Sequence, residues 1–394
     1  MMNLQLFEQA FKQVERPFAW IDLNAFDANI RFINQHIKDK NVRIATKSIR
    51  SIPLLKYLNE KLLNVSGLMT FTASETCYLL ENGFDQLLIG YPVMEEQSVI
   101  EILHYIKKGY AVCFMVDDIH QAKWLNNLAK RINVDVGICI DINLSFDLPW
   151  IYFGTRRSAI KSLKDLMTFL ELLKKQTHLH IEGVMGYEAQ IAGVGDLPLQ
   201  KWKRPLIQQL QKASKKHIAK LRKDVVNLIL SEYGNLEFVN GGGSGSVDFT
   251  TQSTEVTEIT IGSAFFNPSL FDQYSQLDLQ PAAGFALRVT RNPEANIVVC
   301  HGGGYIASGA IGKDKQPVPY EAQSFDLLPF EGAGEVQTPL RMKDYHKISI
   351  GDTIYFRHAK AGELCERFEK LEAVRNGQYI DCFNTYRGEG KCFL

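Results

Sequence analysis

The stretch Asn41-Val-Arg-Ile-Ala-Thr-Lys-Ser-Ile-Arg-Ser-Ile-Pro53 decides how the rest of the chain is organised. Its first half alternates β-branched and polar residues, which predicts a β-strand. Ser51 followed closely by Pro53 predicts the start of a helix, because serine caps helices and proline is tolerated in their first turn. Lys47 therefore lies where a buried strand ends and the chain turns toward a helix. Desolvation there favours the neutral amine that attacks carbonyl carbons, although a lysine can also extend its ammonium group to solvent.

Strand-like runs alternate with helix-like runs from this stretch onward. The predicted strands are Val42–Lys47, Gly67–Phe71, Gln86–Pro92, Ala111–Asp118, Val134–Leu144, His180–Ala189, Glu237–Gly243 and Val256–Gly262. A succession of about eight β–α units predicts a (β/α)8 TIM barrel, whose active site gathers at the carboxyl ends of the strands. A doubly wound open sheet is the alternative.

The helical period disappears after Phe271, and short alternating runs rich in glycine and proline follow. This change predicts a separate, mainly β domain at the carboxyl end of the chain. We expect three segments: 1–24, a helix and a strand that joins the β domain; 25–275, the barrel; and 276–394, the β domain.

Composition restricts the partners that the protein can have. The 394 residues include 44 basic and 44 acidic side chains, so the formal net charge is zero. Zero net charge without basic runs argues against nucleic acid or a membrane as a partner. No run of about 18 apolar residues occurs, and Met1–Arg16 lacks the apolar centre of a signal peptide. Seven scattered cysteines without a Cys-x-x-Cys pair indicate reduced thiols, so we expect a cytoplasmic protein.

Two glycine-rich segments fall where a barrel places its phosphate site. The segments Asn240-Gly-Gly-Gly-Ser-Gly-Ser246 and Gly262-Ser263, here called the two glycine turns, follow the seventh and eighth predicted strands. Glycine lets backbone N–H groups approach an anion closely, and serine adds hydroxyl donors. A phosphate site in the same barrel as the strand-end lysine Lys47 predicts a phosphorylated aldehyde bound as a Schiff base, namely pyridoxal 5'-phosphate.

The ordered set of motifs resembles fold-type III pyridoxal-phosphate enzymes, which include alanine racemase, D-threonine aldolase and D-serine dehydratase. Within that group the chain is most similar to the aldolase and dehydratase branch, in the set described as amino acid deaminase/aldolase. Besides Lys47 and the glycine turns, the motifs are Ala73-Ser-Glu75, Leu88-Ile-Gly-Tyr-Pro92, Arg288-Val-Thr-Arg-Asn-Pro293 and Cys300-His-Gly-Gly-Gly-Tyr305. The resemblance covers nearly the whole chain from Pro17 onward.

The resemblance implies roles for individual residues. Lys47 corresponds to the lysine that forms the Schiff base, and Arg157 or its neighbour Arg156 is expected near the cofactor phenolate. Tyr187 and Gln190 are expected along the face of the ring, and Asn240 is expected near the pyridine nitrogen. The expected phosphate ligands are Gly242, Gly243, Ser244, Gly245, Gly262 and Ser263.

One segment departs from the pattern of the related lyases, which hold a divalent metal with a His-x-Asp or His-x-Cys pair. Here the corresponding positions are His358 and Lys360, and a charged lysine does not ligate a cation. We therefore expect a metal-independent enzyme in which His358 shuttles a proton and Lys360 places a positive charge near the leaving oxygen. A shifted metal site at His358 and Cys365 is the alternative.

Three functions are compatible with the sequence. The leading one is a pyridoxal-phosphate-dependent lyase, an aldolase or dehydratase, whose substrate is a D-configured β-hydroxy amino acid. The second is an amino-acid racemase, which needs a second base on the opposite face of the substrate. The third is a non-catalytic, cofactor-carrying regulatory protein, a class that lacks the terminal β domain. The resemblance also implies a homodimer.

Overall fold

Eight parallel strands, labelled β1 to β8 in chain order, close into a barrel in the computed structural model. The structure describes residues 4–149, 151–310, 312–343 and 348–394. The strand bounds are Asn41–Ala45 (β1), Val65–Thr70 (β2), Leu87–Ile89 (β3), Val112–Val116 (β4), Val136–Asp141 (β5), Leu179–Gly186 (β6), Phe238–Gly241 (β7) and Glu258–Ile261 (β8). Each strand pairs with the next, and β8 pairs with β1. The predicted (β/α)8 barrel is confirmed, and its closure excludes the doubly wound sheet.

Helices connect the barrel strands and bury one apolar face each against them. The helix that follows Lys47 begins at Ile52 with Ser51 as its N-cap, as predicted, but the Ser51 hydroxyl donates to the Asn384 carbonyl oxygen at 2.7 Å instead of capping. The α-helices are Leu4–Ala10, Leu23–His36, Ile52–Lys61, Ala73–Glu81, Glu96–Lys107, Ile119–Ile132, Leu163–Leu173, Ala189–Ala192, Arg204–Tyr233, Val247–Gln252 and Ser263–Phe266. Among the described residues, no helix has both the length and the apolar character that crossing a bilayer requires.

A nine-stranded sheet forms the second body of the chain, which confirms the mainly β character predicted for the carboxyl-terminal part. Its strands are Phe18–Asp22, Ala283–Glu294, Ile297–His301, Val318–Pro319, Phe325–Leu327, Gln337–Met342, Thr353–Arg357, Lys370–Arg375 and Gln378–Asn384. The first of these comes from the amino-terminal segment and lies between Ala283–Glu294 and Lys370–Arg375. A separate hairpin pairs Phe146–Leu148 with Ile151–Phe153.

The β domain packs directly against the turn that carries Lys47. Gly362 has φ +84°, and a Cβ atom built on it would lie 1.9 Å from the Lys47 carbonyl oxygen. Only glycine fits such an approach without moving the backbone. The β domain therefore reaches the carboxyl ends of the barrel strands, where it helps to form the cavity described next.

Candidate active site

A cavity of about 670 Å³ opens at the carboxyl ends of the barrel strands. Barrel residues and β-domain residues both line it. The predicted site residues on its walls are Lys47, Arg157, Tyr187, Asn240, Gly242, Gly243, Ser244, Gly262, Ser263 and Lys360. The structure therefore brings most of the predicted site together in one space, whereas Gln190, Gly245 and His358 do not line it.

Lys47 lies on the short helical turn Thr46–Ser48 directly after β1. Its side chain is exposed toward the cavity, so the burial expected from the sequence is not what the structure shows. The ammonium group donates a hydrogen bond to the Tyr91 hydroxyl and lies 5.2 Å from the centre of that ring. Tyr91 follows β3 in the quoted Leu88–Pro92 motif, but its role beside Lys47 was not anticipated.

The two glycine turns meet in one wall of the cavity and form a cradle for an anion. Gly242 has φ +84°, a conformation that favours glycine, and a Cβ atom on Gly262 would lie 2.9 Å from Ala45. The Ser263 hydroxyl lies 3.1 Å from the Ser48 hydroxyl. The Ala264 N–H donates to the Ser244 hydroxyl at 2.9 Å, which joins the two turns. The N–H groups of Ser244, Gly245 and Ser263, at the starts of the helical turns Ser244–Ser246 and Ser263–Phe266, have no intrahelical acceptor and can serve an anion.

Gly245 and Gln190 are not among the residues that line the cavity. A Cβ atom on Gly245 would lie 2.5 Å from the Tyr274 ring, so this glycine allows close packing behind the cradle. Gln190 is 1% exposed and donates to the Leu144 carbonyl oxygen at 2.6 Å, so it supports the loop after β5. Gln190 therefore has a supporting position, whereas phosphate binding by the Gly245 N–H stays a prediction.

The structure distinguishes the two arginines that the sequence left open. Arg157 lines the cavity, whereas the Arg156 guanidinium stacks 3.9 Å from the centre of the Tyr152 ring. Tyr187 also lines the cavity, and burial raises the pKa of its hydroxyl while the Lys47 ammonium lowers it. Arg157 is therefore the arginine available to a ligand.

Asn240 lies one residue before the end of β7, and its amide is held in one orientation. Its Nδ2 donates to Glu258 at 2.6 Å and to the Thr260 hydroxyl at 2.8 Å. Glu258 is in turn held by Arg43, whose guanidinium lies 2.6 Å from the carboxylate. Asn240 thus presents a fixed polar edge at the cavity floor.

Two carboxyl groups that the sequence analysis missed also line the cavity. Asp117 follows β4 and Asp141 ends β5. Burial, and then the nearby Asp117, raise the pKa of Asp141 to about 7, although Arg157 lowers it. Burial is also the main reason why the pKa of Asp117 is raised. Polar residues directly after neighbouring strands were the available signal for this pair.

Lys360 enters the cavity from the β domain and is held by two partners. Its ammonium donates to the Ser308 hydroxyl at 2.6 Å and lies 3.2 Å from the Glu363 carboxylate. Burial raises the pKa of Glu363, but hydrogen bonds from Ser308 and the Lys360 charge hold it below its usual value. The result is a fixed, ionised Lys360–Ser308–Glu363 cluster in the cavity wall.

His358 lies behind the wall rather than in it. It is 3% exposed and packs edge-on against Phe266, with ring centres 6.2 Å apart. Burial and then the Arg357 charge lower its pKa to about 3, so the imidazole is neutral at ordinary pH. We therefore correct the expectation that His358 exchanges a proton with a substrate.

Like His358, Cys365 does not line the cavity. Cys365 is fully buried, and burial raises the pKa of its thiol to about 12. Among the described residues, no cluster of three or more His, Cys, Asp or Glu side chains is arranged to hold a metal ion. Metal independence stays a prediction, which chelation tests.

Comparison with known proteins identifies one family across the barrel. The family model described as "Alanine racemase, N-terminal domain" matches residues 21–266. A 3-hydroxy-D-aspartate aldolase of Paracoccus denitrificans (strain Pd 1222) is 24% identical over 256 residues, which are 64% of this chain and 61% of the relative. The match thus spans about three fifths of the length of that curated relative.

Solved structures share the fold over nearly the whole chain. D-threonine aldolase from Filomicrobium marinum has a TM-score of 0.81 at 16% identity, with 96% of each chain covered. D-threo-3-hydroxyaspartate dehydratase from Delftia sp. HT23 has a TM-score of 0.73 at 15% identity, covering 95% of this chain and 98% of the other. Alanine racemase of Clostridium difficile 630 reaches 0.63 at 16% identity, covering 95% and 99%. At these identities the likeness establishes the fold.

Proposed function

The chain belongs to the alanine racemase family defined by its N-terminal domain, and from this premise we propose that it is a pyridoxal-phosphate-dependent lyase. The substrate class is a D-configured β-hydroxy amino acid, which the enzyme cleaves as an aldolase or dehydrates. The observation that carries the proposal is that Lys47 and both glycine turns line one cavity. Similarity to a 3-hydroxy-D-aspartate aldolase, a D-threonine aldolase and a D-threo-3-hydroxyaspartate dehydratase supports the reaction class.

The residues of the cavity fit pyridoxal phosphate. The serine hydroxyls and the N–H groups at the starts of the glycine turns suit a phosphate group. Gly262 packs too closely on Ala45 for a Cβ atom, which keeps the second glycine turn next to the turn that carries Lys47. Lys47 would supply the amine that bonds to the aldehyde, Arg157 would pair with the phenolate, and Tyr187 and Asn240 would lie beside the ring. When bound, the cofactor supplies the aldehyde carbon and an electron-withdrawing ring.

Lys360 is the proposed catalytic group for the substrate's β-oxygen. In dehydration negative charge develops on that oxygen as the carbon–oxygen bond breaks. In aldol cleavage it develops when the hydroxyl loses its proton to a base, before the carbon–carbon bond breaks. A preorganised cation stabilises the charge in both cases. Ser308 and Glu363 hold the Lys360 ammonium in place, so little reorganisation is needed as the charge develops. The enzyme works in this way without a divalent metal, because Lys360 occupies the wall where the cation would act.

Racemisation would require a second base opposite Lys47. Tyr305, the last residue of the quoted Cys300–Tyr305 motif, packs edge-on against Phe285 at 4.8 Å and does not line the cavity. No contact of this tyrosine favours the racemase alternative.

By resemblance to the family we further propose a cytoplasmic homodimer.

A panel of D- and L-amino acids tests the function. The purified protein, supplied with pyridoxal phosphate, is incubated with each β-hydroxy amino acid and its unhydroxylated counterpart. We expect an aldehyde or a keto acid from D-β-hydroxy substrates only, and none from a Lys47→Ala variant. Inversion of D-alanine or L-alanine without cleavage of any hydroxy substrate would contradict the lyase and favour the racemase.

A further inference from the structure

Glu188 is a buried carboxylate directly behind the first glycine turn. It is 0% exposed and follows Tyr187 in the loop after β6. Its carboxylate accepts hydrogen bonds from the Gly242 backbone N–H, from the Thr250 hydroxyl at 3.3 Å and from the Ser246 hydroxyl at 3.4 Å. Three donors of one segment therefore converge on a single carboxylate.

Arg222 neutralises this carboxylate from the opposite side. It lies on the helix Arg204–Tyr233, is 2% exposed, and its Nη2 donates both to Glu188 and, at 3.1 Å, to the Gly186 carbonyl oxygen. A second carboxylate, that of Glu255, lies 3.8 Å from Nη1. Burying a charge is costly unless it is paired and hydrogen-bonded, so removing Arg222 would leave an uncompensated negative charge.

Glu188 and Arg222 lie behind the first glycine turn, which we propose binds phosphate, and not in the cavity itself. Neither Glu188 nor Arg222 lines the cavity, but Gly242, Gly243 and Ser244 do. The Gly242 N–H is directed to Glu188, and Gly242 adopts φ +84°. Glu188 thus fixes the position of Gly242, and the conformation of Gly242 sets the direction of the N–H groups that follow it along the turn.

We propose that Glu188 and Arg222 are positioning residues for the phosphate group of the cofactor, an inference that rests on the proposed function. Glu188 fixes the first glycine turn through the Gly242 amide. Arg222 cancels the charge of Glu188, which would otherwise repel a phosphate dianion from behind the turn. The pair acts through the backbone and touches neither substrate nor cofactor.

Comparison of pyridoxal phosphate with pyridoxal isolates this role, because the two aldehydes differ only in the phosphate group. The dissociation constant of each is measured by absorbance titration of the cofactor-free protein, and the ratio of pyridoxal to pyridoxal phosphate reports the contribution of the phosphate. In Arg222→Met we expect this ratio to fall by about tenfold, with pyridoxal binding little changed. Adding Glu188→Gln removes the uncompensated charge and should restore much of the ratio.

Arg375→Met is the matched control. Arg375 pairs with Asp27 at 2.8 Å between a barrel helix and a β-domain strand, and neither residue lines the cavity. This variant should lower the melting temperature and leave the ratio at the wild-type value. If Arg222→Met does not fold, Arg222→Lys replaces it, since lysine keeps the charge but not the forked donors; its ratio should also fall below wild type.

A wild-type ratio in the folded Arg222 variant, with only thermal stability reduced, would overturn the positioning role. A wild-type protein that binds neither aldehyde would instead contradict the proposed function. The two failures are therefore distinguishable.

Discussion

Asp141 is a carboxyl group that the fold keeps protonated well above its ordinary range. Burial, and then the nearby Asp117, raise its pKa from 3.8 to about 7, while Arg157 lowers it. In the unfolded chain the same group loses its proton near its ordinary value. Between these two pH values the folded state binds the additional proton, so the contribution of Asp141 to stability is greatest at low pH and is lost as the pH rises toward 7.

Asp141→Asn should therefore change how stability depends on pH. Asparagine cannot ionise, so the variant does not lose stability through this site as the pH rises. We expect its melting temperature, relative to wild type, to be higher at pH 8 than at pH 5. Thermal unfolding across this range measures the difference, and a difference independent of pH would contradict the raised pKa.

The proposed metal independence of the reaction depends on Lys360. Lys360→Met keeps the length of the side chain and removes its charge, so turnover should fall about 100-fold while cofactor affinity is unchanged. Exhaustive chelation of the wild-type protein should leave turnover as it was. Stoichiometric zinc in the purified protein, with activity lost on its removal, would refute the role of Lys360.

Most of the residues predicted from strand ends line the cavity, whereas His358, whose position depends on burial, does not. Lys47 and the glycine turns follow predicted strands, and barrel closure brings such positions together. His358 was misplaced because a sequence does not show which side of a β-domain wall a side chain occupies. Arg222 lies in the middle of a long helix, where nothing local distinguishes it from the exposed basic residues around it.

The glycine turns are elements whose backbone, rather than side chains, is proposed to bind phosphate. Gly243 has φ −176°, an extended conformation that any residue adopts, so its substitution does not strain the backbone. A Cβ atom there would lie 3.1 Å from the Ala192 side chain and 3.3 Å from the Tyr187 ring. A side chain at this position therefore competes for space at the cavity wall.

Gly243→Val should weaken binding of pyridoxal phosphate, and Gly243→Ala should weaken it less, because the bulk added at the turn is smaller. Absorbance titration of the cofactor-free variants gives the dissociation constants. Circular dichroism is the control for an intact fold. Equal affinity in wild type and the valine variant would contradict phosphate binding at this turn.

The elements themselves were well predicted from periodicity. All eight barrel strands lie within or close to the predicted ranges, because buried parallel strands appear as continuous apolar runs between turn residues. The hairpin Phe146–Phe153 was missed, since it is short and lies within a loop. The sequence also did not predict which strands pair in the nine-stranded sheet, because antiparallel strands far apart in the chain carry no local signal of register.

The amino-terminal strand joins the beginning of the molecule to its end. Trp20, on Phe18–Asp22, is 0% exposed and packs against Phe7 and Tyr320, with ring centres 5.4 and 6.1 Å away. The sequence predicted that this strand joins the β domain, and it lies inside the nine-stranded sheet. The exact boundaries at residues 24 and 275 stay predictions.

Trp20→Ala should therefore destabilise the whole protein, by about 3–5 kcal/mol for a buried aromatic side chain reduced to a methyl group. Guanidinium chloride unfolding measures the loss. Trp202→Ala is the control, since Trp202 is 76% exposed, and its effect should stay within about 0.5 kcal/mol. Similar losses in both variants would mean that the amino-terminal strand is not part of the core.

Covalent labelling tests the central claim most directly. The protein is saturated with pyridoxal phosphate, reduced with borohydride and digested, and the modified peptide is identified by mass spectrometry. We expect one stoichiometric pyridoxyl label on Lys47, and none in a Lys47→Ala variant whose circular dichroism matches wild type. A label on another lysine, or no stoichiometric label on the folded wild-type protein, would contradict the assignment of Lys47 and with it the proposed enzyme.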